Sequence, residues 1–157
     1  MAVKRYPADI AFSKAIRESY NYDCIAKDYV PQSKREPLES CECNYRHNPG
    51  GLDCAHVNSR THRNTRWCAE YGAVPLCRHH HNFFGVHPIL WAEFLTEKFG
   101  EDWYDEAKRR AWETRKISKE DQAVIAKHYR QEVKRIELER AEGKEGFIKL
   151  RNWDAED

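Results

Sequence analysis

The sequence predicts an α+β fold, a short β-hairpin followed by a helix with further helices before and after it, and three observations carry that expectation. Leu52 to Val57 (LDCAHV) alternates apolar and polar residues as a short strand does, and Ala73 to Cys77 (AVPLC) is a second such run. Segments on both sides place apolar residues at the three-to-four spacing of amphipathic helices. Five of the six cysteines fall between positions 41 and 77 and seven of the eight histidines between 47 and 87, so metal-ligating residue types crowd onto the hairpin region. A chain of 157 residues suits one compact domain with terminal extensions and excludes a large multidomain enzyme.

The elements follow in order. Ile10, Ala11, Phe12, Ala15 and Ile16 give the first segment an apolar helical face, and we read a helix over 8–22 that leads into Cys24. From Lys27 to Gly51 prolines, glycines and mixed charges show no sustained period, which reads as a long loop. After the two strands, Pro88 suits a first helical turn, Ile89, Trp91, Phe94, Leu95 and Phe99 form an apolar face, and Gly100 closes the helix. Glu101 to Lys116 is a second helical pattern, with acids leading bases as the helix dipole prefers. Ser118 and Asp121 resemble an N-terminal cap, and Ile125, Tyr129, Val133 and Ile136 mark a last helix whose charged side (Lys127, Arg130, Lys134, Arg135, Glu137) reads as a solvated face.

Cys77-Arg-His-His80 has the C-x-x-H spacing by which one tight turn gives a tetrahedral Zn²⁺ two ligands. Cys24, Cys41 and Cys43 are the upstream candidates for the rest, since a metal closing the long loop adds its binding energy to folding. Cys54 either packs against the hairpin or joins a second metal with His47 or Cys68, and packing is the favoured reading. His56 at the end of the first strand and His81 beside His80 are either structural or the two arms of a hydrolytic site, one deprotonating water while the other holds a divalent cation. Between them the stretch Asn58 to Arg66 carries Arg60, Arg63 and Arg66 and no acid, which suits phosphate contacts. Trp67 stacks on a nucleotide or is buried against the hairpin, the latter favoured.

These residues resemble a family, the phage-type HNH endonucleases of the ββα-metal superfamily, including the NinG-like recombination nucleases. Asp9-Ile-Ala-Phe12-Ser13 with Ile16-Arg17 and Cys24 is similar to the helix leading to the family's first zinc cysteine. Leu52-Asp-Cys-Ala-His56-Val resembles its first catalytic strand, and Ser59-Arg60 with His62 and Thr65-Arg66-Trp67 its arginine-rich loop. Leu76-Cys77 with His80-His81 and Phe84 is similar to its closing knuckle, and His87-Pro88, Trp91 and Phe99-Gly100 to its trailing helices. The matches span about two thirds of the 157 residues in order.

The resemblance implies a zinc-stapled ββα-metal (HNH) core with flanking N- and C-terminal helices. One domain over 1–157 then divides into an N-terminal helix (8–22), a zinc and ββα-metal core (24–87), a helical extension (88–142) and a tail (143–157). It implies a metal-dependent endonuclease hydrolysing DNA phosphodiester bonds, phage-encoded, in which His56 is the general base, His81 a ligand of a catalytic Mg²⁺ or Mn²⁺, and Cys77 with His80 half of a structural zinc site. Cys24 with Cys41 or Cys43 supplies the other half, because Lys27 stands where the family carries a second cysteine of C-x-x-C. Arg60, Arg63, Arg66 and His62 are the expected nucleic-acid contacts. Gly72 stands where the family's central asparagine falls, and Ala55 where the wider superfamily often has an acidic ligand, so the catalytic ion would rely on His81 with Asn82 or His87. The rival expectation is a catalytically weak or inactive zinc-stabilised nucleic-acid-binding module.

Bulk charge does not announce a polyanion partner, since 27 Lys and Arg offset 26 Asp and Glu; any basic surface is local. Uncharged runs such as Phe83 to Ala92 reach about half of the roughly 20 apolar residues a membrane helix needs. Lys4 and Arg5 are followed by Asp9, Lys14 and Arg17 rather than an apolar signal core. DNA is thus the expected partner, no membrane is, and the expected compartment is the cytoplasm (the host's, if the chain is phage-encoded).

Overall fold

The structure, a computed structural model, describes residues 4–27, 29 and 51–155. Cys41, Cys43, His47 and most of the expected long loop lie outside the described residues.

Helix α1 (Pro7–Ser19) starts with a proline whose missing N–H costs nothing there, and the Asp9 carboxylate accepts the Tyr6 N–H at 2.8 Å. It stops short of position 22 because Asn21 and Tyr22 take positive φ values of 52° and 56°, which reverse the chain. That reversal delivers Cys24 to the hairpin, where the Ile25 N–H donates to the Pro75 carbonyl at 3.2 Å.

Strands β1 (Leu52–His56) and β2 (Ala73–Cys77) pair antiparallel, with Leu52 opposite Cys77 and His56 opposite Ala73. The connection contains an unanticipated short helix, α2 (Arg63–Arg66), and closes at Gly72. A Cβ on Gly72 would lie 2.4 Å from the Cys68 carbonyl oxygen and 2.5 Å from that of Thr65, both backbone atoms that cannot swing aside. No asparagine fits at this position. Gly72→Ala is expected to cost at least about 1–3 kcal/mol, read as a lowered Tm in thermal unfolding.

Helix α3 (Arg78–Val86) follows β2 with no linker, then α4 (Pro88–Phe99) and α5 (Glu101–Trp112), which meet at Gly100 with φ 96°. Helix α5 ends at Trp112, before the expected Lys116. Helix α6 (Lys119–Ala141) is capped reciprocally, the Asp121 N–H donating to Ser118 Oγ at 2.9 Å and the Ser118 N–H to the Asp121 carboxylate at 2.8 Å. The chain is thus a mixed helix and strand fold, with one antiparallel two-stranded sheet and six helices among the described residues. No helix among them is long and apolar enough to cross a membrane.

The hairpin is covered on both faces. Phe12, Ala15 and Ile16 of α1 pack with Ile125, Tyr129, Val133 and Ile136 of α6, and this cluster takes in Ala73 and Cys54. Ala55, Val74 and Leu76, alternating to the other face, pack with Phe84, Phe94, Leu95 and Ala107. The segment expected to be a tail belongs to the first cluster: Ile148 and Leu150 are buried, and Ile148 exchanges hydrogen bonds with Ser19 through its N–H (2.8 Å) and its carbonyl (2.6 Å to Ser19 Oγ). Its short sequence has no helical or strand period, which is why it reads as a tail although two apolar side chains anchor it.

Candidate metal centre and its surroundings

Cys77 sits at the junction of β2 and α3 as the helix N-cap, its Sγ accepting the His80 N–H at 3.5 Å. Three residues on, one turn of helix returns the His80 ring to that sulfur, with Nδ1 at 3.2 Å from Cys77 Sγ. Cys24 Sγ lies 3.3 Å from the same nitrogen. The three ligand atoms fall within 4.8 Å of one another, all three residues are buried, and none of the described cysteines is in a disulfide. This group can hold a metal ion. Its chemistry, two thiols and an imidazole from a loop and a tight turn, is that of a tetrahedral site completed by one more ligand. Among the described residues no other group of three such atoms gathers, and Cys41 and Cys43, the expected remaining donors, lie outside them.

Cys54 and Cys68 stand apart from this cluster. Cys54 packs against the α1 and α6 core, where burial pushes its thiol up to about 12, and burial raises the Cys68 thiol too. Neither gathers with two other ligand atoms among the described residues, and His47 lies outside them.

His81 occupies the outer edge of α3, its side chain 44% exposed, and Nδ1 is 2.9 Å from Asp53 Oδ2. Arg78 flanks the same carboxylate at 2.8 Å. Asp53 was not anticipated from the sequence. Its signal was a carboxylate inside a short apolar strand, which needs a partner to be buried even partly.

His56 lies elsewhere. Strand alternation puts it with Cys54 on the face opposite Asp53 and Ala55, and three residues along the strand from Asp53, roughly 10 Å. Its ring centroid is 6.3 Å from that of Phe12, and its Nε2 is enclosed with no hydrogen-bond partner. Burial, with the charge of Arg60 second, holds its pKa down at about 4. His56 and His81 thus share no partner among the described residues: His56 lies against Phe12 and His81 against Asp53. The unfolded chain takes up a proton on His56 below about pH 6.5, whereas the folded chain does so only near 4. Stability is expected to fall across that window, and His56→Phe should flatten the fall in urea titrations run from pH 7 to 4 relative to the parent.

The arginine-rich connection also departs from expectation. Arg66 is buried and forked onto Asp9, Nε to Oδ1 at 2.9 Å and Nη2 to Oδ2 at 2.8 Å, and Trp67 Nε1 donates to the same carboxylate at 2.9 Å. Arg66 is accordingly a fold-holding residue, not a phosphate contact, and Trp67 is buried as favoured. His62 is likewise spent: its Nδ1 is 3.0 Å from the Ala111 carbonyl, and its ring lies 5.5 Å from that of Trp112. Asn58 and Asn64 donate to the Ala107 and Arg110 carbonyls at 3.2 and 2.7 Å. The loop's polar side chains thus dock on carbonyls of the C-terminal half of α5, that of Arg110 also accepting the Glu113 N–H. Arg63 remains exposed and Arg60 partly so. Asn82 and His87 are exposed, His87 with its ring against Phe83.

No family model matches the chain, and no match exists among curated proteins or solved structures.

Proposed function

We propose that the chain is a metal-dependent endonuclease acting on DNA phosphodiester bonds, built as a zinc-stapled ββα-metal module. The observation that carries the reading is the hydrogen-bonded pair of Asp53 and His81 at the exposed start of α3, directly beside the Cys24, Cys77 and His80 cluster. Metal-ligating histidines commonly give their second ring N–H to a carboxylate, which fixes the ring and leaves the other nitrogen for the metal. With the Asp53 carboxylate as acceptor for Nδ1–H, the half-exposed His81 ring keeps Nε2 for a metal. The zinc staple holds this geometry, because Cys77 and His80 fix the first turn of α3 on which His81 stands. A Mg²⁺ or Mn²⁺ bound there supplies an activated water and charge neutralisation on the phosphate. Arg60, partly exposed, and Arg63, exposed, remain for contacts to other phosphates of the strand, which fix register without reading bases.

The enclosure of His56 Nε2 favours a second reading, a zinc-stabilised module that binds DNA without cutting it. Supercoiled plasmid with Mg²⁺ or Mn²⁺ separates the two. Nicking by the parent, reduced about 10–100-fold in Asp53→Asn and lost in His81→Ala, is the expected result. DNA retention without nicking selects the binding module. Loss of nicking in a folded His56→Ala variant with His81→Ala still active would place the reacting centre on the other face of the hairpin.

A further inference from the structure

A second feature of the surface shares no lining residue with Asp53 and His81. The segment before α1, the start of α2 and one side of α6 enclose an open groove of about 730 Å³. Lys4, Arg63, Lys119 and Arg130 line it and no carboxylate does. All four are exposed, and none makes an ion pair among the described residues. Several cations elsewhere are paired with acids, among them Arg78, Arg109, Arg110, Arg115 and Arg135. Lys119 is moreover in the first turn of α6, where the helix dipole disfavours a cation and where Glu120 and Asp121 follow the usual preference. The floor is apolar, with Tyr6 and the buried Ile117.

We propose that this groove holds the phosphodiester backbone of a DNA strand. The proposal rests on the nucleic-acid reading above and deepens it by saying where the backbone lies. The cations are strung along a trough rather than converged on a point: Lys119 and Arg130 share one side of α6 eleven residues apart, about 16 Å. A lone phosphate engages one point, whereas a strand presents successive charges over such a length. The apolar floor suits the sugar faces between them. Arg130 thereby leaves the class of merely solvated charges to which the sequence assigned it, and Arg63 keeps its expected role with new neighbours.

Each phosphate contact contributes about 0.9 to the slope of log affinity against log salt, so the groove is testable through that slope. The whole 157-residue chain, purified with zinc, is titrated against a short labelled DNA duplex over a salt series. The Lys119→Glu/Arg130→Glu double variant is expected to flatten the slope by about 2, and Lys98→Glu, at an exposed lysine lining a different cavity, to leave it unchanged. Glutamate at the first position of α6 suits the helix dipole, so the fold is expected to survive; if circular dichroism shows otherwise, Lys119→Gln and Arg130→Gln singly should each remove about 1. A parent slope retained in folded variants overturns the proposal, as does a parent that does not bind DNA at low salt. Plasmid nicking is read in parallel. A slope change in a protein that binds but never nicks keeps the groove and defeats the nuclease, whereas nicking with an unmoved slope does the reverse.

Discussion

Replacing Cys77 by serine, or stripping metal with a strong chelator, is expected to unfold the domain rather than merely loosen it. Cys77 is at once the last residue of β2, the N-cap of α3 and a member of the buried thiol and imidazole group, so its loss detaches the hairpin from both α3 and the Cys24 turn. Structural zinc in small domains carries apparent binding energies of about 10–16 kcal/mol, comparable to or larger than the roughly 5–15 kcal/mol net stability of a typical domain. The check is far-UV circular dichroism with elemental analysis: one zinc per folded chain, and coincident loss of zinc and of helix signal on chelation. Cys54→Ser, at a packing thiol outside the cluster, should keep its zinc, because its sulfur is held by the α1 and α6 core and not by the metal.

Arg66→Ala is expected to cost about 3–5 kcal/mol, the range for breaking a buried ion pair by removing one partner. Both side chains are only 7% exposed, and Asp9 also receives the Tyr6 N–H and the Trp67 indole, so the unpaired carboxylate has nowhere to be solvated. Asp9→Leu with Arg66→Met should recover much of the loss, less about 1–3 kcal/mol for the orphaned Trp67 Nε1. Burial pushes the Asp9 carboxyl up, yet Arg66, the Tyr6 N–H and Trp67 together hold it below its ordinary 3.8. The folded state then binds this proton less readily than the unfolded chain. The pair's contribution is full above pH 3.8 and is lost as pH falls through the folded value. Urea unfolding midpoints of parent and double variant should therefore converge in strong acid. If Arg66→Ala instead leaves stability intact and weakens only DNA binding, Arg66 is a phosphate contact after all.

The fold was legible where chemistry is local. The continuous apolar run AVPLC marked β2 to the residue, Pro88 and Gly100 marked both ends of α4, and Ser118 with Asp121 marked the start of α6. Cys77 and His80 were legible for the same reason, since three residues of separation is one helical turn. What escaped depends on distant partners. Arg66 looked free for phosphate because the stretch Asn58 to Arg66 holds no acid, but α1 brings Asp9 to it across 57 positions. His62 looked like a phosphate contact because its acceptor, the Ala111 carbonyl, is 49 residues away. Asp53 went unread because its partner His81 lies across the hairpin, and Gly72 looked like a lost asparagine when the backbone carbonyls of Thr65 and Cys68 allow nothing larger. His56 and His81 were expected to converge because both fall at element ends, but the period of two along β1 sends His56 to the face of Phe12 and keeps Asp53, with His81, on the other.

All of this hangs on a metal bridging Cys24, Cys77 and His80. X-ray absorption at the zinc edge on the purified 157-residue chain reads that bridge directly. The account predicts a four-coordinate zinc with at least two sulfurs at about 2.3 Å and an imidazole nitrogen at about 2.0–2.1 Å, and the loss of one sulfur shell member in Cys24→Ser. A folded protein without zinc, or a zinc ringed only by oxygen and nitrogen, would contradict it.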